Sequence, residues 1–179
     1  MKGRGHHPHA DRDVVFETPW FDVVTRPAID GRAYYMLELD DYVSVVALTA
    51  DRQMVLVRQY RPVVGADTLE LPSGHVEPGE TPEQAARKEL LEETGMTAPV
   101  FELLGTLVPD VGRLTNRMWC FFAADAVQVS APADTGEGIS VVTVPEHEGI
   151  ALAREGKLGH ALNLSVLFLA ACQKKVTLS

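Results

Sequence analysis

Apolar and polar positions change rhythm repeatedly along this chain, and each change predicts an element. Residues 14–24 and 33–39 alternate or cluster apolar side chains, with Pro27 and Asp30-Gly31 between them, which predicts an early strand pair. Residues 42–49 and 53–59 predict a second pair joined at Ala50-Asp51-Arg52. Short strands are expected over 68–71, 100–107, 117–125 and 139–144. Pro145 then opens an acidic helix that closes near Gly156. Residues 161–172 are strongly apolar without internal glycine or proline, which predicts a largely buried C-terminal helix. Residues 1–13 are polar and are expected to be a loosely ordered tail, with His6, His7 and His9 in it. Strands and helices in this order suggest a sheet sandwiched between helices, an α/β fold.

One stretch departs from both rhythms. Pro72, Gly74, Pro78 and Gly79 punctuate a loop. Thr81 is then a good N-cap, Pro82 suits the first helical position, and Gln84 completes a capping box. Gly95 falls where a left-handed C-terminal cap is expected. The helix between them carries Glu89, Glu92 and Glu93, spaced i, i+3 and i+4, so all three point to one side. Like charges stacked in this way cost a helix stability. A divalent cation is the simplest compensator, because hard cations such as Mg²⁺ take oxygen ligands.

Residues 74–96 resemble the signature of the Nudix hydrolases, enzymes that cleave a diphosphate linked to another group. Gly74, Glu80, Glu89, Leu90, Glu92, Glu93, Gly95 and Met96 all fall in register, while Lys88 stands where the family has arginine. Lysine keeps the charge but loses the planar fork. Residues 57–61 and 68–72 resemble the branch that hydrolyses ADP-ribose and other nucleoside diphosphate sugars, and the likeness extends over residues 14–173. It implies an α/β/α sandwich with a mixed sheet and an N-terminal β extension. Residues 1–40 would be the tail and extension, and 41–179 the hydrolase domain. It also implies a homodimer whose N-terminal strands help build the partner's substrate site. The backbone carbonyl of Ser73 is implied as a metal ligand beside Glu89 and Glu93, with Glu92 a third ligand or a water-orienting base. Mg²⁺ is the expected cofactor, with Mn²⁺ as a substitute.

Other residues have two readings each. Arg58 and Arg61 either clamp a diphosphate through forked hydrogen bonds or are ordinary surface arginines. Trp20 either stacks on a nucleobase or sits in the core or a dimer interface. Glu70 either contacts sugar or base or pairs with an arginine. Many ADP-ribose pyrophosphatases place a glutamate where this chain has Asn116, an amide that cannot act as a base. The base is then Glu92 or Glu137, or the substrate is another nucleotide sugar. His75, His147 and His160 are expected to be structural or surface residues.

The net charge of −9 argues against general affinity for nucleic-acid backbones, which needs a basic footprint. An apolar fraction of 46% suffices for a sizeable core in one domain. Cys120 and Cys172 sit in apolar company and read as small core residues. No signal peptide or membrane-length apolar run is present, so a reducing cytoplasmic setting is expected. The expected activity is Mg²⁺-dependent hydrolysis of ADP-ribose or a related nucleoside diphosphate sugar to a nucleoside monophosphate and a sugar phosphate. The alternatives are a pyrophosphatase that clears nucleoside triphosphates, and a non-catalytic module that senses a nucleotide.

Overall fold

Residues 12–133 and 138–178 are described by the computed structural model. The chain opens with β1 (Asp13–Glu17), β2 (Asp22–Pro27) and β3 (Ala33–Glu38), which pair antiparallel in that order as a sheet of their own. Residues 14–24 are therefore two strands and not the single expected one. The Thr18 hydroxyl accepts from Phe21 N at 2.8 Å, and Pro19 has no N–H to give a ladder, so the chain turns there.

The main sheet begins with β4 (Tyr42–Leu48) and β5 (Gln53–Arg61). β6 (Ala66–Glu70), β7 (Ser73–His75), α1 (Pro82–Thr94), β8 (Met96–Thr97), β9 (Val100–Leu107) and β10 (Met118–Ala124) follow. The chain closes with β11 (Val127–Gln128), β12 (Ser140–Pro145), α2 (Glu146–Arg154) and α3 (Ala161–Cys172). Seven strands form a mixed sheet in the order β12-β5-β4-β10-β9, with β6 beside β5 and β7 beside β4. β10 runs parallel to β4, and the other pairings are antiparallel.

β4 and β5 pair only at Ala47↔Val55 and Leu48↔Met54, then part. β7 takes the edge of β4 at Tyr42–Ser44, and β6 takes the edge of β5 at Val57–Arg61. The link between β6 and β7, Leu71-Pro72, thus lies in the opening between the two strands. Ser73 and Gly74, which lie against helix α1, follow directly from this opening.

Alternation along β4 divides the core. Val43, Val45 and Ala47 pack with Ala85, Ala86 and Leu90 of α1. Val46 and Leu48 pack on the other side with Ile150 of α2 and Val166, Leu167 and Ala170 of α3. Helices therefore cover both faces, the expected α/β/α arrangement. Cys120 is buried as expected, but Cys172, the last residue of α3, is exposed. No helix among the described residues is long and apolar enough to cross a membrane.

Candidate active site

Helix α1 is set locally at both ends. The Thr81 hydroxyl accepts from Gln84 N at 3.2 Å, and Gln84 Oε1 accepts from Thr81 N at 2.8 Å. Gly95 ends the helix in the left-handed region at φ 67°, its N–H donating to Leu91 O at 2.7 Å. A Cβ on Gly95 would also lie 2.2 Å from Ser130 O, so glycine is required there on two counts.

Glu89, Glu92 and Glu93 share a side of α1 but differ in surroundings. Glu93 is buried, Glu89 half-buried and Glu92 exposed. Glu93 Oε2 accepts from Ser73 N at 2.9 Å. The carboxyl group of Glu89 lies against Gly74: a Cβ there would stand 2.1 Å from Glu89 Cδ and 2.2 Å from Oε1. Gly74 is thus required by close approach, at a backbone conformation open to other residues. The two carboxyl groups meet the Ser73-Gly74 backbone from one helix.

That proximity has an electrostatic cost. Burial pushes the Glu93 carboxyl up to about 8; the Ser73 N–H partly offsets this, and the negative charge of Glu89 adds to it. At neutral pH the folded chain therefore holds this group protonated unless a cation replaces the proton. Among the described residues no three His, Cys, Asp or Glu side chains form a ready-made metal cluster. Without a positive ion, carboxylates have no reason to converge further. The donor set still fits a divalent cation: two hard carboxylates share one backbone turn, and one of them is destabilised as an anion. Glu89, Glu93 and the Ser73 carbonyl would hold it, with Glu92 beside them.

A buried polar network lies behind this turn. Ser44 and Asn163 are fully buried. Asn163 Oδ1 accepts from Leu71 N at 3.0 Å, and its Nδ2 donates to Ser44 Oγ at 3.4 Å. The Ser73 hydroxyl reaches Ser44 Oγ at 2.9 Å and Leu71 O at 2.7 Å. Burial pushes the neighbouring Tyr42 hydroxyl up to about 12, so it stays neutral as it bonds with Ser73. None of Ser44, Tyr42 or Asn163 was singled out in the sequence. The available signal was a polar residue inside an apolar run: Ser44 within β4 and Asn163, with Ser165, within α3.

Lys88 lies 3.0 Å from Glu80 Oε1 and 3.5 Å from Glu77 Oε1, so it ties the loop to the helix. Arg61 forks onto Glu70, Nε to Oε1 at 2.8 Å and one terminal nitrogen to Oε2 at 2.7 Å. Thr68 Oγ1 donates to the same carboxylate at 2.6 Å, and His160 Nδ1 stands 3.8 Å from it. Burial works to raise the Glu70 carboxyl, but the Arg61 and Thr68 bonds outweigh it and hold it below its ordinary value.

Arg58 does not join Arg61. Residues three apart on a strand face opposite sides. Arg58 lies with Leu69, Val142, Val144 and Glu148 in a groove of about 370 Å³ beside α2. Trp20 occupies the β1–β2 turn and is 76% exposed, so it is not a core residue of this chain. Asn116 is buried, and its Nδ2 donates to Asp40 O at 3.1 Å. Glu137, His6, His7 and His9 lie outside the described residues. His75 packs edge-on against Tyr42 at 6.0 Å between ring centres.

The sequence profile of the NUDIX domain matches residues 39–161. The ADP-sugar pyrophosphatase of Mus musculus is 35% identical over 124 residues, 63% of this chain and 54% of that protein. The ADP-ribose pyrophosphatase of Bacillus subtilis (strain 168) is 29% identical over 112 residues, 62% of this chain and 60% of that one. The chain thus spans little more than half the length of these relatives. A crystal structure of an ADP compounds hydrolase superposes with a TM-score of 0.76 at 23% identity, covering 98% of this chain and 97% of that one. This last likeness concerns the fold.

Proposed function

Because this chain belongs to the Nudix family, we propose that it is a hydrolase that cleaves the diphosphate of ADP-ribose or a related nucleoside diphosphate sugar. The products are a nucleoside monophosphate and a sugar phosphate. The cofactor is Mg²⁺, with Mn²⁺ able to replace it. The observation that carries this reading is the meeting of Glu93 and Glu89 on the Ser73-Gly74 backbone.

A divalent cation at such a site supplies charge neutralisation on phosphate oxygens and activation of water. The chain's own residues do the rest. The Ser73 N–H fixes one oxygen of Glu93, and the bare face of Gly74 admits Glu89. Glu92, exposed on the same side of α1, is placed to orient water or take up its proton. Arg61, locked in its fork by Glu70, presents its remaining nitrogen as a fixed cation toward phosphate. Trp20, exposed at the β1–β2 turn, provides a further substrate contact by stacking on the base, while Arg58, in the groove beside α2, stays apart from the Arg61 phosphate contact.

Residues 1–40 serve as an extension for dimerisation and substrate binding, and 41–179 as the hydrolase domain. The support for a homodimer is the apolar surface that β1–β3 leave bare, including Val15 at 55% and Phe16 at 62% exposure. Cys120 and Cys172 are both free thiols, which suits the cytoplasm.

Incubation with a panel of nucleoside diphosphate sugars and nucleoside triphosphates, with Mg²⁺, Mn²⁺ or chelator, tests the reading. Release of a monophosphate and a sugar phosphate, abolished by chelator, is expected. Tight nucleotide binding without turnover of any compound would establish a sensor instead.

A further inference from the structure

We infer that Asn163, on the far side of the sheet from α1, is a positioning residue for the cation site. The inference rests on the functional reading above. Pro72 and Ser73 follow Leu71, whose N–H belongs to no strand ladder and is satisfied by Asn163 Oδ1 at 3.0 Å. The same side chain donates through Nδ2 to Ser44 Oγ, and Ser44 meets the Ser73 hydroxyl at 2.9 Å. Asn163 therefore holds the Leu71–Ser73 turn at two points, directly and through Ser44.

Ser73 is where this hold matters. Its N–H fixes Glu93 Oε2 at 2.9 Å, and its carbonyl lies on the next peptide, the one that enters Gly74 against Glu89. A displacement of Ser73 moves both its N–H, on the peptide from Pro72, and its carbonyl, on the peptide to Gly74. β4 holds the later part of the turn, through the Ser44↔Ser73 pairing and Val45 N donating to Pro72 O at 2.9 Å, whereas Leu71, between β6 and β7, has its N–H fixed by Asn163. An asparagine with no exposure, placed in a helix whose other residues are Leu, Val, Ala, Phe, Ser165 and Cys172, is costly there unless both ends of its amide are used, and both are. Partners that orient metal ligands from behind commonly change metal affinity by about ten- to a hundredfold when removed.

The test measures Mn²⁺ binding to the full chain by the electron paramagnetic resonance signal of free Mn²⁺, with circular dichroism to verify folding. Asn163→Ala is expected to weaken Mn²⁺ binding about tenfold. Ser44→Ala breaks only the indirect hold and is expected to weaken it about threefold, within the same principle at reduced scale. Leu167→Ala, one helical turn further along α3 and buried in the core without a polar contact to the turn, lowers thermal stability and leaves Mn²⁺ affinity within about twofold of the unchanged chain. If Asn163→Ala binds Mn²⁺ as tightly as Leu167→Ala does, the inference is wrong. Should Asn163→Ala fail to fold, Ser44→Ala decides in its place: unchanged affinity overturns the proposal. An unchanged chain that binds no Mn²⁺ overturns the cation site itself, an outcome distinct from failure of Asn163 alone.

Discussion

The β7–α1 segment and the N-terminal sheet are built on opposite terms. In the first, nearly every feature is fixed from within the chain: the Thr81–Gln84 box, the Gly95 cap, and the Ser73 N–H bond to Glu93. In the second, β1 is exposed along its whole length, and Val24 is the one fully buried side chain of the three strands. What holds it to the rest is largely β3, through Leu37 N to Arg113 O at 2.8 Å, Thr115 N to Leu37 O at 3.1 Å, and the Tyr34 hydroxyl to Gly112 O at 2.5 Å. The difference teaches where each part finds its reason. The acidic turn is built from contacts within one chain, whereas the N-terminal strands and the turn between β1 and β2 leave Phe16, Trp20 and Tyr35 exposed to solvent.

The contrast breaks most sharply at Glu93. Glu93→Gln removes one charge from the cation site, and turnover is expected to fall by about a hundredfold or more. Turnover near that of the unchanged chain would place the site elsewhere. Gly74→Ala comes next, because its Cβ would collide with the Glu89 carboxyl group. The expected loss in kcat is about ten- to a hundredfold with little change in Tm, since Glu89 can swing outward without opening the core.

Changes in the N-terminal sheet should act differently. Val15→Asp in solvent-exposed β1 is expected to convert a dimer to a monomer in light scattering, with a shift in melting of only a few degrees at most. A chain that is monomeric from the start would remove the stated reason for this sheet's apolar surface. Trp20→Ala is expected to raise KM by roughly fivefold with kcat nearly unchanged, in keeping with about 1 kcal/mol of stacking. A fall in kcat at constant KM would instead tie Trp20 to the chemistry. The smallest effect is expected at Lys88→Arg. Glu80 and Glu77 can both still be reached, so turnover should change by less than about threefold.

The helix, its caps and the acid set were legible in the sequence because each rests on contacts within a few residues. Continuous apolar runs marked β4, β5 and β10. The β1–β2 turn was missed although Thr18-Pro19 carried the signal, since the apolar run continued past it. β7 spans Ser73–His75, too short for any period to show, and it forms because β4 and β5 part, a tertiary event. Arg58 and Arg61 were grouped as neighbours in sequence, while strand alternation sends them to opposite faces. Glu70 had two readings, and the structure pairs it with Arg61. Asn116 stands out in another way. With its amide donating to Asp40 O inside the protein, Asn116→Glu would bury a charge and lose a donor, and so would unsettle the loop before it supplied a base.

Glu93 links the fold to pH. Its carboxyl is raised from the ordinary 4.5 to about 8 in the folded chain. The folded state therefore holds the proton more tightly, and the stability this provides is full below the ordinary value and lost as pH rises through about 8. A cation entering the site must displace that proton. Calorimetric titration of Mn²⁺ at pH 7, in two buffers of different ionisation enthalpy, counts the protons released. Close to ~1 proton per cation is expected for the unchanged chain, with affinity rising toward pH 8, and none for Glu93→Gln. Tight Mn²⁺ binding with no proton release and no pH dependence would contradict the assignment of Glu93 to the cation.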